Sequence, residues 1–262
     1  MTDRSPDRRA DNHSGTRPTP LVGTVVVVAG GESMAAVAGP MPVGDVVIAA
    51  DSGLDQAQRL GYRVDLVIGD FDSVSDRALA TAVAAGVEID RHPTAKDATD
   101  LELALDAAIA RQPRQIVVIG GHGGRVDHFL AGALALTRDA SAHVEVSALI
   151  GPARLHVVRQ ALTVEGEPGE LLTLLAVRGP VTGVTTDGLV YPLRGETLYP
   201  GSTRGVSNQL VGRSASVRLD SGVLLAVLPG EQGPARTDPP APAGDPSPPS
   251  DPRDPIRPEE HP

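Results

Sequence analysis

Between Thr24 and Ile150 short β-branched runs, most of them stopping at glycine or aspartate, alternate with stretches rich in Ala and Leu. The runs Thr24–Ala29, Val46–Ala50, Leu66–Ile68, Val87–Asp90, Ile116–Ile119 and Val144–Ile150 read as strands. The stretches Leu54–Leu60, Ser75–Ala85, Thr99–Arg111 and Asp127–Arg138 read as helices. Strands that are apolar along most of their length need cover on both faces. That condition selects an α/β fold, a mostly parallel sheet with helices on both faces.

The pattern changes near Gly151. From there to Gly230 the runs Arg154–Val158, Leu162–Glu165, Leu171–Val177, Gly183–Tyr191, Gly205–Val211, Ser214–Leu219 and Val223–Leu228 are short, β-rich and separated by turn residues, with no helical period. They predict a small all-β sandwich. Two flanks lack this apolar content. Residues 1–20 carry four Arg and three Asp, and residues 231–262 hold 11 of the 24 prolines. Such segments bury too little apolar surface to offset their ordering entropy. The expected organisation is a disordered arm (1–20), an α/β domain (21–150), a β-sandwich domain (151–230) and a disordered Pro-rich tail (231–262).

Charge and composition narrow the function. The formal net charge is −10, of which about −7 falls on the two expected domains, a sign that disfavours broad nucleic-acid binding. With no cysteine, disulfides, thiol nucleophiles and Cys-ligated zinc are excluded. No apolar run approaches about 20 residues and no hydrophobic signal core is visible, so a cytoplasmic protein without a membrane partner is expected. The 23 basic residues are 22 arginines and a single lysine, Lys96. A surface ion pair would be served by Arg, this chain's usual cation; a compact ammonium suits a phosphate oxygen in a tight pocket.

In an open parallel sheet, ligands collect at the carboxyl ends of the strands. Those ends carry Asp51-Ser52-Gly53, Asp70-Phe71-Asp72-Ser73, Lys96-Asp97-Ala98-Thr99-Asp100 and Gly120-Gly121-His122-Gly123-Gly124-Arg125-Val126-Asp127. Each loop alone is compatible with turn-forming or helix-capping residues. Four acidic loops on one edge repel one another unless a cation sits among them, and Mg²⁺ is the hard ion that takes carboxylate oxygens and shares substrate phosphates. Asp70 and Asp72 reach one ion only if the loop turns at Phe71, and Asp97 and Asp100 share a face if a helix begins at Asp97. The glycines at Gly30, Gly31, Gly120, Gly121, Gly123 and Gly124 allow close approach of backbone N–H groups to phosphate. Neither a P-loop nor a GxGxxG fingerprint nor a GxSxG elbow is present. His122 and His128 lack metal-ligand spacing and read as structural or solvent-facing.

The motifs AADSG (49–53), DLVIGDFDS (65–73), KDATDLELAL (96–105) and GGRVDH (123–128), with the later GVSNQ (205–209), resemble the thiamine pyrophosphokinase family over residues 24–230. The resemblance implies transfer of the pyrophosphoryl group of ATP to the hydroxyl of thiamine, with AMP released. It implies an α/β domain followed by a β-sandwich, and a homodimer with thiamine near the subunit interface. Carried over, Asp70, Asp72 and Asp100 hold Mg²⁺, with Asp51 and Asp97 in support. Lys96 and Thr99 face the phosphates, with Gly30, Gly31, Ser52, Ser73, Gly121 and Gly124 around the ATP. Arg125 and Asp127 contact nucleotide or thiamine, and Ser207 and Asn208 line the thiamine pocket. Lys96, Asp97, Asp100 and Asp127 are the catalytic candidates, and either Asp100 or Asp127 takes the hydroxyl proton. With only two Phe and three Tyr, stacking on thiamine falls to aliphatic side chains, Phe71 or another subunit. A diphosphokinase for a hydroxymethyl pterin, or a non-catalytic nucleotide-binding regulator, remains compatible with the same motifs.

Overall fold

The computed structural model describes residues 22–31, 40–123 and 125–230. The arm at 1–20, the tail at 231–262 and Gly124 lie outside the described residues. The first half runs β1 (Val22–Ala29), β2 (Val46–Ala50), α1 (Gly53–Arg59), β3 (Leu66–Gly69), α2 (Asp76–Ala84), β4 (Glu88–Arg91), α3 (Asp100–Ala110), β5 (Pro113–Ile119), α4 (Val126–Ala135) and β6 (Glu145–Ile150). It continues as β7 (Ala153–Val158), β8 (Ala161–Glu165), β9 (Leu171–Ala176), β10 (Val181–Asp187), β11 (Arg194–Leu198), β12 (Asn208–Gln209), β13 (Ser214–Arg218) and β14 (Leu224–Leu228).

Six parallel strands in the order β4-β3-β2-β1-β5-β6 form the α/β half. Alternation along these strands feeds two cores. Val25, Val27, Ile48, Leu66, Ile116 and Val118 pack with Ala104, Leu105 and Ala108 of α3. Val26, Val28, Val47, Ala49 and Val67 pack with Leu54 and Ala57 of α1 and with Ala78 and Ala82 of α2. Burial of that kind stabilises by about 25 cal/mol per Å² of apolar surface, so the sheet's position is strongly fixed. The chain leaves β1 toward β4 on one side and toward β6 on the other. The order therefore reverses between β1 and β5, where a doubly wound sheet opens a crevice at its carboxyl edge.

The sheet does not stop at β6. β7 pairs antiparallel with β6, and β14, β9 and β12 extend the same ten-stranded sheet. A second sheet, β11-β10-β13-β8, covers this extension. Val158, Leu172, Leu174, Leu224 and Leu228 of the large sheet meet Val164, Val181, Val184 and Val217 of the small one, which makes the β-sandwich. The expected boundary at residue 150 thus falls in the β6–β7 turn, within one continuous sheet. Arg159 and Arg178, from turns of the sandwich, donate to the Thr137 carbonyl beyond α4 at 3.0 and 3.1 Å, tying the sandwich to that helix.

Most elements match the sequence pattern to within a few residues; β10 ends at Asp187 rather than Tyr191, and three other departures stand out. β11 was not expected, because Arg-Gly-Glu-Thr-Leu carries little apolar signal and is held by pairing with β10. The run Gly205–Val211 is strand only in part: residues 205–207 turn, with Ser207 at φ +56°, and Asn208–Gln209 pair with β9 as β12. α4 stops at Ala135 rather than Arg138.

Candidate active site

The carboxyl edge gathers a cavity of about 650 Å³. From the sequence-predicted residues it is lined by Gly30, Gly31, Asp51, Ser52, Asp70, Asp72, Ser73, Lys96, Thr99, Asp100, Gly121 and Arg125. Within it, carboxylate oxygens of Asp51, Asp70 and Asp100 lie within 4.8 Å of one another. These acids come from the end of β2, the end of β3 and the first residue of α3. Thr99 starts that helix by accepting the Glu102 N–H at 3.2 Å, so the cap sets where Asp100 points.

Local backbone geometry makes the cluster. Gly69 has φ +152°, and a Cβ there would sit 3.1 Å from both Asp100 Oδ1 and the Asp51 Cβ. Only glycine lets the three acids close in. Phe71 has φ +66° and Asp51 φ +46°, left-handed values that non-glycine residues adopt at a cost. The Phe71 N–H donates to Asp51 Oδ1 at 3.1 Å, and the Asp72 N–H donates to Asp70 Oδ1 at 3.1 Å. The loop therefore does turn at Phe71. The turn brings Asp70 into the triad, while Asp72 lines the cavity beside it with its Oδ1 accepting the Ser73 hydroxyl at 2.8 Å.

Lys96 Nζ is 3.3 Å from Asp70 Oδ2 and 3.0 Å from Asp100 Oδ1, and its side chain is only 13% exposed. Burial disfavours its ammonium, but Asp100 and Asp70 outweigh that and hold its pKa above the usual lysine value. Asp70 is lowered, first by the Asp72 N–H and further by Lys96. Asp51 is raised: burial is the largest cause, and the charges of Asp100, Asp70 and Asp72 add to it against a hydrogen bond from the Ser52 N–H. Despite the Lys96 contact, Asp100 Oδ1 is buried without an aligned hydrogen bond among the described residues. One ammonium for three clustered acids leaves negative charge and an open acceptor, the donor set that fits a hard divalent cation.

Two expectations, on Asp97 and Phe71, are corrected by the structure; the other residues are placed as follows. Asp97 precedes α3 rather than opening it, so the three-residue spacing to Asp100 does not share a helix face, and Asp97 is not part of the cavity lining. Phe71 is buried among α1 and α2 residues and does not line the cavity, so it is not a stacking platform. His128 is solvent-facing, as expected, and also lines the cavity. Asp127 is absent from the lining; its carboxylate pairs with Arg125 at 2.5 Å, and that hydrogen bond lowers it to about 2. Ser207 and Asn208 stand in the sandwich, away from the lining. The Asn208 amide bridges Tyr191, accepting its N–H at 3.0 Å and donating to its carbonyl at 2.7 Å. Sequence reasoning missed Thr94, a lining residue that helps to lower the Asp70 carboxyl, and Leu101 and Gly132, which supply apolar wall. Leu101 and Gly132 were inconspicuous because they sit inside ordinary helical patterns.

The sequence profile described as the thiamin pyrophosphokinase catalytic domain matches residues 43–147. That described as the thiamin pyrophosphokinase vitamin B1 binding domain matches residues 157–224, and together the two span more than half of the chain. The chain belongs to the thiamin pyrophosphokinase family.

Relatives agree with that membership. Thiamine pyrophosphokinase of Bacillus subtilis is 26% identical over 161 residues, 61% of this chain and 75% of the relative. A crystal structure of thiamine pyrophosphokinase from Bacillus subtilis superposes with a TM-score of 0.69 at 25% identity, covering 79% of this chain and 99% of that one. A thiamin pyrophosphokinase family protein from Enterococcus faecalis gives a TM-score of 0.66 at 26% identity, covering 78% and 97%. The Candida albicans thiamin pyrophosphokinase shares the fold, at a TM-score of 0.64 and 14% identity, over 79% of this chain and 89% of that one. Among the described residues, no helix of this thiamin pyrophosphokinase family member is long and apolar enough to cross a membrane.

Proposed function

We propose that this chain makes thiamine diphosphate by moving the pyrophosphoryl group of ATP onto the hydroxyl of thiamine. In that reaction a bond forms between the thiamine oxygen and the β-phosphorus, the hydroxyl proton passes to a carboxylate (Asp100 or Asp127) or to water, the bond from the β-phosphorus to the α–β bridging oxygen breaks, and AMP leaves. The observation that carries the proposal is the Asp51–Asp70–Asp100 triad with Lys96 between Asp70 and Asp100, inside a cavity walled by glycines. Family membership supports thiamine as the acceptor.

Asp51, Asp70 and Asp100 would hold Mg²⁺, with Asp72 next to them. When bound, the ion supplies charge neutralisation across the phosphate oxygens. Lys96 is placed to give a point charge to the same oxygens, and Gly30, Gly31 and Gly121 leave room for the phosphate chain near the α3 N-terminus. Asp127, held ionised by Arg125, is a weak proton acceptor in this pairing. Phosphoryl transfer passes through a loose transition state that asks little of a base, so placing the hydroxyl in line and holding charge carry most of the rate.

In this proposal residues 21–150 serve ATP and Mg²⁺, residues 151–230 serve thiamine, and a second copy completes the site in a cytoplasmic homodimer. The exposed apolar row Val126, Leu130 and Leu134 on α4 and the exposed Tyr191 and Tyr199 of the sandwich support such a partner. The test is thiamine-dependent AMP formation with Mg²⁺ present and then chelated. AMP that needs both supports the proposal; AMP formation indifferent to thiamine, or none at all, rejects it.

A further inference from the structure

One contact to the Asp70 loop comes from a residue outside every motif. Arg91 ends β4 and stands in register with Gly69, the residue before Asp70. Its Nη1 donates to the Asp70 carbonyl at 2.8 Å. Its guanidinium carbon lies 4.5 Å from the centroid of the Phe71 ring. The Asp70 carbonyl and the Phe71 N–H belong to one peptide group, and the N–H end is held by Asp51 at 3.1 Å. That peptide is thus gripped at both ends, on the residue whose left-handed φ aims Asp70 into the triad.

A charged donor on the carbonyl and a cation over the neighbouring ring both favour the peptide orientation in which Phe71 keeps its left-handed φ. Arg91 does not line the cavity, so it acts only through the loop. We propose that Arg91 is a positioning residue: it fixes the Asp70–Phe71 peptide so that the Asp70 carboxylate is presented for divalent-cation binding. This rests on the metal role given to the triad above. Outer contacts of this kind commonly change metal affinity by about 10–100-fold.

The test titrates the full chain with Mn²⁺ alone, followed by the paramagnetic resonance signal of free ion, alongside melting temperature. Arg91→Ala is expected to weaken Mn²⁺ binding about tenfold or more. Arg91→Lys, which keeps a donor for the Asp70 carbonyl but not the planar stack, should recover part of that loss. If Arg91→Ala does not fold, Arg91→Lys decides: weaker binding at a wild-type melting temperature supports the role. Asp70→Asn separates the two layers. Loss of binding in Asp70→Asn with wild-type binding in the Arg91 variants overturns the Arg91 role and leaves the triad intact. Wild-type protein that binds no Mn²⁺ overturns both.

Discussion

Lys96 Nζ stands 3.3 Å from Asp70 Oδ2, across 26 residues of sequence. The pair links the loop after β3 to the segment before α3, and the same ammonium reaches Asp100. Lys96→Met is expected to lower kcat/KM for ATP by roughly 10²–10³-fold, the usual loss for one preorganised electrostatic contact. Lys96→Arg should also impair turnover, because a planar fork cannot occupy the place of a point charge between two carboxylates. Steady-state kinetics on both variants checks this; wild-type rates for Lys96→Arg would remove the special role of the ammonium.

The surroundings of Asp51 disfavour its charged form. Its pKa is raised by burial and then by the Asp100, Asp70 and Asp72 charges, so the ion-free fold carries repulsion at neutral pH. Asp51→Asn keeps an oxygen for the Phe71 N–H and removes one charge. The melting temperature of the metal-free protein should rise by a few degrees while Mg²⁺-dependent AMP formation collapses. A calorimetric scan and the AMP assay on one preparation read both effects.

Asp72→Ala is expected to abolish pyrophosphoryl transfer while the fold survives, since Asp72 lines the cavity and, among the described residues, its side chain bonds only the neighbouring Ser73. Unchanged circular dichroism with lost AMP formation is the expected result. Retained activity would leave metal binding to Asp51, Asp70 and Asp100.

The Arg125 hydrogen bond holds the Asp127 carboxyl at about 2, below its ordinary 3.8. A depressed carboxyl favours the fold above its unfolded pKa, and that contribution is lost as pH falls from near 3.8 toward 2. Carboxyl NMR should therefore show Asp127 titrating near 2 in the wild type. In Arg125→Gln it should move back up toward the ordinary value.

His156, in register with Ser147 and Ala226, is lowered by burial and then by the Arg154 charge. The unfolded chain takes up a proton near pH 6.5 while the folded one resists it, so stability is full above that pH and declines as pH falls below it. Denaturant midpoints from pH 7.5 to about 5 should fall in the wild type, and less steeply in His156→Phe.

Much of the α/β half was legible because continuous Val and Ile runs demand two-sided cover, and because their ends carry Asp and Gly. The lone Lys96 was legible for a related reason: it breaks a compositional habit. What sequence could not give was contact between distant segments. The Asp51–Phe71 hydrogen bond spans 20 residues and the Arg91–Asp70 bond spans 21, and neither leaves a local pattern. Asp97 and Asp100 differed only in where the helix began, a choice made by the Thr99 cap. In the sandwich, Gly205–Val211 had strand-like composition, yet Ser207 turns left-handed and only Asn208–Gln209 pair as strand.

The seclusion of Lys96 gives the protein a built-in reporter. No other side chain in the sequence bears a primary amine, and this one is tucked between two acids that keep it protonated. An acylating reagent would thus modify it slowly, and a nucleotide covering it would slow the reaction further. The mass of the peptide containing Lys96, followed over time, would register ligand occupancy of the cavity without any turnover.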